Sequence, residues 1–233
     1  MCGRFYTVKS IKTLVRHYFP PELADMICEQ LDQLQRDIDW REQNYDVRPT
    51  TKVLAFVGNE DAEVEPRLLK WGHIPSRYNK VKSPLFNAKG ESLADKATWS
   101  KPWRTQRCLV PAQGFFEWTG EKGAKQPWAF QRADGEGLLF AGLWRHDDDV
   151  DWCSIVTAEA SPWMSRWHDR EPIIVRPDDV VRWLFDEDPP EDLLHAAEEG
   201  ELEAFPARAP SPTRRPSRPR ASSRWGLSRM VYL

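Results

Sequence analysis

The sequence predicts an α+β fold, with a strongly bent, mostly antiparallel β-sheet or open, barrel-like core flanked by short helices. Two observations carry this reading. Helical periodicity is confined to the two ends of the chain, while short apolar runs bounded by Pro or Gly fill the middle. A third sets the scale: 233 residues with 40% hydrophobic and 30% charged side chains suffice for one cored domain, with or without an appendage.

Taken in order, residues 8–38 read as helical. Leu14, His17 and Tyr18 share a helix face, Pro20-Pro21 interrupt it, and Ile27, Leu31 and Leu34 resume it. From Tyr45 onward the texture changes to strands at 53–57, 67–71, 108–110, 128–130, 138–144, 152–157 and 173–175. Short helices are expected over 178–184 and 190–200, the latter stopped at Gly200. Residues 1–205 then form the domain. The stretch 206–233, rich in Pro, Arg and Ser, is too polar to pack a core and reads as a disordered basic arm or as a replaced C-terminus.

Several functional classes are excluded or made remote. No window approaches a membrane span, and MCGRFYTVKS lacks the apolar core of a secretory signal. Cys2, Cys28, Cys108 and Cys153 are scattered without a CxxC pair, which disfavours a zinc ribbon or a disulfide scaffold and fits a reducing cytoplasm. Asp147-Asp148-Asp149 and Asp151 lie between two apolar runs and read as a hairpin loop; no metal and no cofactor are expected. His17, His73, His146 and His195 have no evident partners in sequence.

Charge is segregated. The segment Lys70–Arg107 carries a net +7, the tail from Pro206 another +7, and the rest of the chain −17, although the total is only −3. Trp71, Tyr78, Phe86, Trp99 and Trp103 are interleaved with the first group of cations. A cationic groove with aromatic platforms suits single-stranded nucleic acid, where each stacked base contributes about 1–3 kcal/mol. A solvated basic loop beside core tryptophans accounts for the same composition equally well.

Cys2 carries the most chemistry. Position alone makes it no more than a second codon. Removal of Met1 would leave it at the chain start, with an α-amine of pKa about 7.7–8.0 and a thiol of about 8.5 on adjacent carbons. Such a pair condenses with an aldehyde to an imine and closes it to a five-membered thiazolidine, provided the terminus is exposed.

Seven blocks widen the view: Met1–Phe5 (MCGRF), Lys70–Pro75 (KWGHIP), Phe86–Ser92 (FNAKGES), Arg107–Trp118 (RCLVPAQGFFEW), Phe140–Trp144 (FAGLW), Thr157–Ala160 (TAEA) and His168–Pro172 (HDREP). In this order, spanning residues 1 to about 185, they resemble the SOS response-associated peptidase (SRAP) family. The resemblance implies a DNA-damage protein that traps abasic sites in single-stranded DNA. The mature Cys2 would form a covalent thiazolidine crosslink, with AP-lyase and self-processing peptidase activities beside it. Cys2, Asn87, Glu117 and His168 match the catalytic positions. Asn87 would fix attack geometry. Glu117, following apolar residues, would be a carboxyl of raised pKa. His168 would be a general acid–base. Arg4, Pro49, Trp71, Lys89, Trp118 and Thr157 match DNA-contacting positions, and Asp169 and Arg170 would stiffen the turn beside His168. The partner implied is abasic single-stranded DNA, met by a monomer in the cytoplasm and at the damaged nucleoid. An N-terminal-nucleophile cysteine peptidase and a non-covalent single-strand binder remain alternatives.

Three positions depart from the family pattern. Lys89 replaces the usual Arg, losing bidentate phosphate geometry. Glu171 stands where Met is usual and is expected to add negative charge near the site. Asp46 replaces Asn in Tyr45-Asp46-Val47-Arg48-Pro49. The closing strand usual in the family is not evident in residues 206–233.

Overall fold

The structure, a computed structural model, describes residues 2–7, 10–37, 44–59, 61–76 and 83–208. Its central feature is a closed barrel of five strands: β2 (Lys52–Gly58), β3 (Val64–Trp71), β5 (Arg107–Ala112), β8 (Leu138–Asp147) and β9 (Val150–Glu159). They pair in the order β9-β3-β2-β5-β8, and β8 returns to β9 to close the ring. The barrel-like core expected from sequence is thus a closed one. Strand directions cannot alternate all round a ring of odd number, so one pair must run parallel. That pair is β3–β9, with Trp71 opposite Cys153.

A second sheet is antiparallel throughout. It runs β1 (Phe5–Tyr6), β6 (Gly114–Thr119), β7 (Gln126–Arg132), β12 (Leu202–Pro206). A single residue, Gln113, separates β5 from β6, so one stretch of backbone passes from barrel to second sheet. The crossing needs Gly114: a Cβ there would lie 2.1 Å from Phe130 O and 2.5 Å from the Tyr6 hydroxyl. The second sheet ends on strand β12. It pairs with β7 over Leu202–Pro206 and so reaches the first residue of the basic stretch. Most of that stretch, residues 209–233, lies outside the described residues.

The barrel strands alternate in what they bury. Leu54, Phe56, Leu109, Leu139, Leu143 and Trp152 join a cluster with helices α1 (Ile11–Tyr18), α2 (Pro21–Asp37) and α4 (Val180–Phe185), so this is the barrel's outer face. Val53, Ala55, Val57, Leu69, Cys108, Val110, Phe140, Cys153 and Ile155 form the inner cluster, together with Cys2, Phe5 and Phe115. Helix α1 buries Ile11, Leu14, Val15 and Tyr18, the i, i+3, i+4, i+7 stripe of an amphipathic helix. Pro21 opens α2 at the first helical position, where a missing N–H costs nothing. The helix expected over 190–200 shrinks to a single turn at Glu191–Leu193.

The hairpin reading of the acidic run is correct. Asp148 and Asp149 both take positive φ (52° and 57°) between β8 and β9, the conformation of a tight two-residue turn. Among the described residues no group of His, Cys, Asp or Glu could hold a metal ion, and no helix is long and apolar enough to cross a membrane.

The expected aromatic platform is not assembled. Trp71, Trp99 and Trp103 are buried in the core, the last in helix α3 (Ser100–Thr105). Arg107 is buried too, and donates to the backbone carbonyls of Trp103, Arg104, Trp183 and Asp186. Strand alternation and helix packing consumed these residues. Arg77, Tyr78, Lys80 and Lys82 lie outside the described residues.

Candidate active site

The chain start is held at the junction of barrel and second sheet. Phe5 pairs with Phe115 and Tyr6 with Gly114, and the Phe116 N–H donates to Arg4 O at 2.9 Å, so residues 4–6 run antiparallel to β6 with the chain start at its Glu117 end. On its other side Phe5 exchanges two backbone hydrogen bonds with Val47. Phe5 is fully buried, its ring 5.0 Å from Trp71 and 5.7 Å from Phe140. Burying such a ring contributes about 1.5–3 kcal/mol, which anchors a strand only two residues long.

Cys2 is buried, with Met1 still ahead of it in the chain. Burial raises the Cys2 thiol pKa strongly, the Glu117 charge adds to the rise, and the Arg4 N–H opposes it. The Asn87 side-chain N–H donates to Cys2 O at 2.9 Å. The Asn87 amide oxygen is buried and meets no donor among the described residues.

Asn87 lies on β4 (Asn87–Lys89), which pairs parallel with β9. Its approach is set by Gly72 and Trp71. Gly72 adopts φ +83°, and a Cβ there would lie 2.7 Å from the Phe86 Cβ. The Trp71 indole N–H donates to Phe86 O at 2.8 Å. Lys89 is exposed two residues along β4, on the same side of the strand as Asn87.

Glu117 occupies β6 opposite Trp128 and is 5% exposed. Desolvation pushes its carboxyl pKa up to about 7, and the Asp169 charge works in the same direction. His168 lies on the turn before β10 (Arg170–Pro172), and burial lowers its pKa. Its Nδ1 accepts the Arg170 N–H at 2.9 Å and lies 2.8 Å from Asp169 Oδ1. The first contact suits the neutral ring and the second the imidazolium, so the turn can serve either protonation state. Arg170 grips Glu91 through two nitrogens and donates to Thr157 O, fixing the turn against β9. Cys2, Glu117 and the 168–169 turn are thus coupled electrostatically, and Asn87 touches Cys2 directly.

The positions expected to contact DNA divide. Arg4 and Trp118 stack, with the guanidinium carbon 5.2 Å from the ring centroid. Pro49 is half-buried in a turn clipped to the end of β3, where Thr50 N–H donates to Trp71 O. Trp71 and Thr157, also matched to DNA-contacting positions, are fully buried in this structure. Trp71 is wedged between Phe5 and Phe86, and the Thr157 hydroxyl serves Ala88 O and Arg170. Glu171 is likewise a core carboxylate: it accepts from Ser161 and from the Ala197 N–H instead of charging the site.

Sequence reading missed the ionic partner of Arg4. Asp46, with a side chain 2% exposed, lies 3.3 Å from Arg4 Nε and accepts Arg48 Nη2 at 2.6 Å. Their alternation about Val47 was a usable signal, because it puts residues 46 and 48 on one side of an extended segment.

Comparison with known proteins agrees with this architecture. The chain is 29% identical over 191 residues to the abasic site processing protein YedK of Escherichia coli (strain K12), covering 79% of each. It is 26% identical over 217 residues to the abasic site processing protein YobE of Bacillus subtilis (strain 168), covering 88% of this chain and 93% of that one. The crystal structure of a phage-related protein from Bordetella bronchiseptica superposes with a TM-score of 0.68 at 25% identity, covering 89% of this chain and 95% of the other. The sequence profile named SOS response associated peptidase (SRAP) matches residues 1–209, which takes in the barrel, the second sheet and every residue of the site just described. With its chain start pinned between the two sheets and its motifs in register from Cys2 to β12, the chain belongs to the SRAP family.

Proposed function

We propose that this protein processes abasic sites in single-stranded DNA by capturing them covalently through Cys2 after Met1 is removed. The observation that carries this reading is the contact between Asn87 and Cys2, beside a buried carboxyl whose pKa is near 7. Two relatives bear the name abasic site processing protein, which points to the same substrate.

The ring-opened deoxyribose offers an aldehyde carbon. The Cys2 α-amine adds to it, and loss of one water gives an imine. The Cys2 thiol then adds across the C=N bond and its proton passes to nitrogen, leaving a thiazolidine. The overall balance is aldehyde plus amino-thiol giving thiazolidine plus water. Glu117, protonated below about pH 7, supplies the proton that lets hydroxyl leave as water. The buried Asn87 oxygen, without a donor among the described residues, accepts a hydrogen from the amine and orients its lone pair. His168 exchanges protons with the sugar hydroxyls during ring opening. Arg4 and Lys89 hold the flanking phosphates, and Trp118 supplies a stacking face.

Intact mass spectrometry tests the proposal directly. The purified protein should lack Met1 and, mixed with an abasic oligonucleotide, should gain the mass of the strand minus one water. Cys2→Ala and a form retaining Met1 should gain nothing stable. In Cys2→Ala the amine persists, so an imine should form and open to β-elimination, cutting the strand. A processed wild-type protein that forms no adduct defeats the reading.

A further inference from the structure

The Phe5–Val47 bridge has an electrostatic consequence. An antiparallel pair at 5 and 47 sets Arg4 across from Arg48 and Tyr6 across from Asp46. Two like charges directly opposite repel, and here one carboxylate lies between them, hydrogen-bonded to Arg48 and in ion-pair contact with Arg4. Asp46 Oδ1 lies 3.3 Å from Arg4 Nε, while Oδ2 accepts Arg48 Nε at 3.1 Å and Nη2 at 2.6 Å. The Asp46 carboxylate is almost wholly buried, its backbone N–H is tied to Asn44 Oδ1, and Val47 beside it is buried. The anchor is therefore fixed, whereas the Arg48 side chain is 57% exposed and that of Arg4 is 26% exposed. Arg4 is further restrained by the Trp118 ring. Asp46 engages Arg48 through Nε and Nη2 and lies against Arg4 at Nε, an ion-pair contact without a hydrogen bond. The cluster keeps one net positive charge and a set of unused donors beside the chain start.

We propose that Arg4, Asp46 and Arg48 form a two-cation phosphate clamp, in which Asp46 positions the guanidiniums and a backbone phosphodiester of the bound strand docks on the nitrogens that Asp46 leaves unused. Arg48 is then a binding residue and Asp46 a positioning residue. The identity of the anion rests on the single-stranded DNA reading above. A phosphodiester fits because its two non-bridging oxygens can each take donors from a different guanidinium, and because two planar forks recognise it with more geometric definition than an ammonium.

Binding of a fluorescent thymidine oligonucleotide without an abasic site, read by anisotropy across about 50–200 mM salt, tests the clamp. Arg48→Ala should flatten the slope of log Kd against log salt by about 0.7 and weaken binding about fivefold. Arg48→Lys should restore the slope while leaving affinity below wild type. Asp46→Asn removes the counter-charge and should steepen the slope by a similar amount; a purely structural Asp46 would change thermal stability and leave the slope alone. Arg36→Ala, on exposed α2, is the control for overall charge. A wild-type slope in Arg48→Ala overturns the clamp. Adduct formation measured in parallel separates the two ideas. A wild type that crosslinks beside an Arg48→Ala of unchanged slope removes the clamp alone. A flattened slope with no crosslink in wild type removes the chemistry alone, and absence of any strand binding removes both.

Discussion

Three of the four cysteines share the barrel's inner cluster, yet its waist and its mouth are chemically opposite. At the waist Cys108 packs so closely on Gly142 that a Cβ there would lie 2.8 Å from its sulfur. Burial raises its pKa well above the ordinary thiol value, the neighbouring Cys153 adds to the rise, and burial pushes Cys153 to about 12. Cys2, at the mouth, is just as buried, but Glu117, Asn87 and the Arg4 N–H surround it. Burial alone makes a thiol inert; burial beside a titrating carboxyl and an oriented amide makes a place where protons can be moved. The second sheet creates that difference by bringing β6 and the chain start across the end of the barrel.

The largest effect that sharpens the contrast falls on Glu117. Glu117→Gln should slow adduct formation about 10²–10⁴-fold at pH 6, the range of a lost general acid. The wild-type rate should peak slightly above pH 7, because the α-amine is protonated on the acid side and the Glu117 acid form is depleted on the alkaline side, and the alkaline limb should vanish in the variant. Stability should move the other way. Below about pH 4.5 the carboxyl is protonated both folded and unfolded, so it costs nothing. Between there and about 7 the unfolded chain ionises more readily, and above 7 the penalty is complete. Denaturation at pH 8 should find Glu117→Gln more stable by about 3 kcal/mol, shrinking toward zero near pH 5. A variant less stable than wild type at pH 8 would mean that the carboxylate is a structural anion.

Asn87→Ala is expected next in size. It removes the 2.9 Å hydrogen bond to Cys2 O and the unsatisfied buried oxygen together. Adduct formation should slow about 10–100-fold through lost orientation, with single-strand Kd unchanged. An equal loss in Kd would make Asn87 a binding group instead of an orienting one.

How much of this was legible in the sequence follows the same line between waist and mouth. Strand runs such as 138–144 and 152–157 were readable because a barrel buries inner and outer faces alike, which leaves long apolar stretches. Barrel closure was not, since it depends on the parallel β3–β9 pairing between segments about eighty residues apart. Strand β1 was invisible because two residues carry no period, and its anchor is the Phe5 ring. Cys2, Asn87, Glu117 and His168 were named from motif resemblance; neither composition nor spacing could have shown that β4, β6 and the chain start converge. The burial of Trp71 and Thr157 was not legible, because a tryptophan among lysines and a hydroxyl beside a motif look alike whether buried or exposed. Only the pairing of β3 and β4 with β9 decides the matter.

The two tryptophans matched to DNA contacts, one half-buried and one buried, supply a smaller test. Trp118, half-buried under Arg4, should lose about 1–3 kcal/mol of strand binding on change to Ala, with little change in stability. Trp71→Phe should do the reverse. It deletes the indole N–H that holds Phe86 O, costing about 1–3 kcal/mol of stability while leaving strand affinity near wild type. Strand affinity that falls with Trp71→Phe, measured well below the melting temperature, would return that ring to the binding surface.

The smallest expected effect is the one that most directly probes the contrast of waist and mouth. Cys108→Ala removes one sulfur from a close-packed interior and leaves a void against Gly142, so thermal unfolding should report a loss of about 1 kcal/mol. Adduct formation should be unchanged in rate and yield, because burial and Cys153 are what act on that thiol among the described residues. If adduct formation falls in proportion to more than the unfolded fraction, the barrel interior and the chain start are mechanically coupled. The inner cluster would then be part of the site, positioning Cys2 through Phe140 and Phe5, whose rings are already in edge contact at 5.7 Å. Unchanged kinetics beside a measurable stability loss would fix the boundary between scaffold and chemistry at the Phe5 ring.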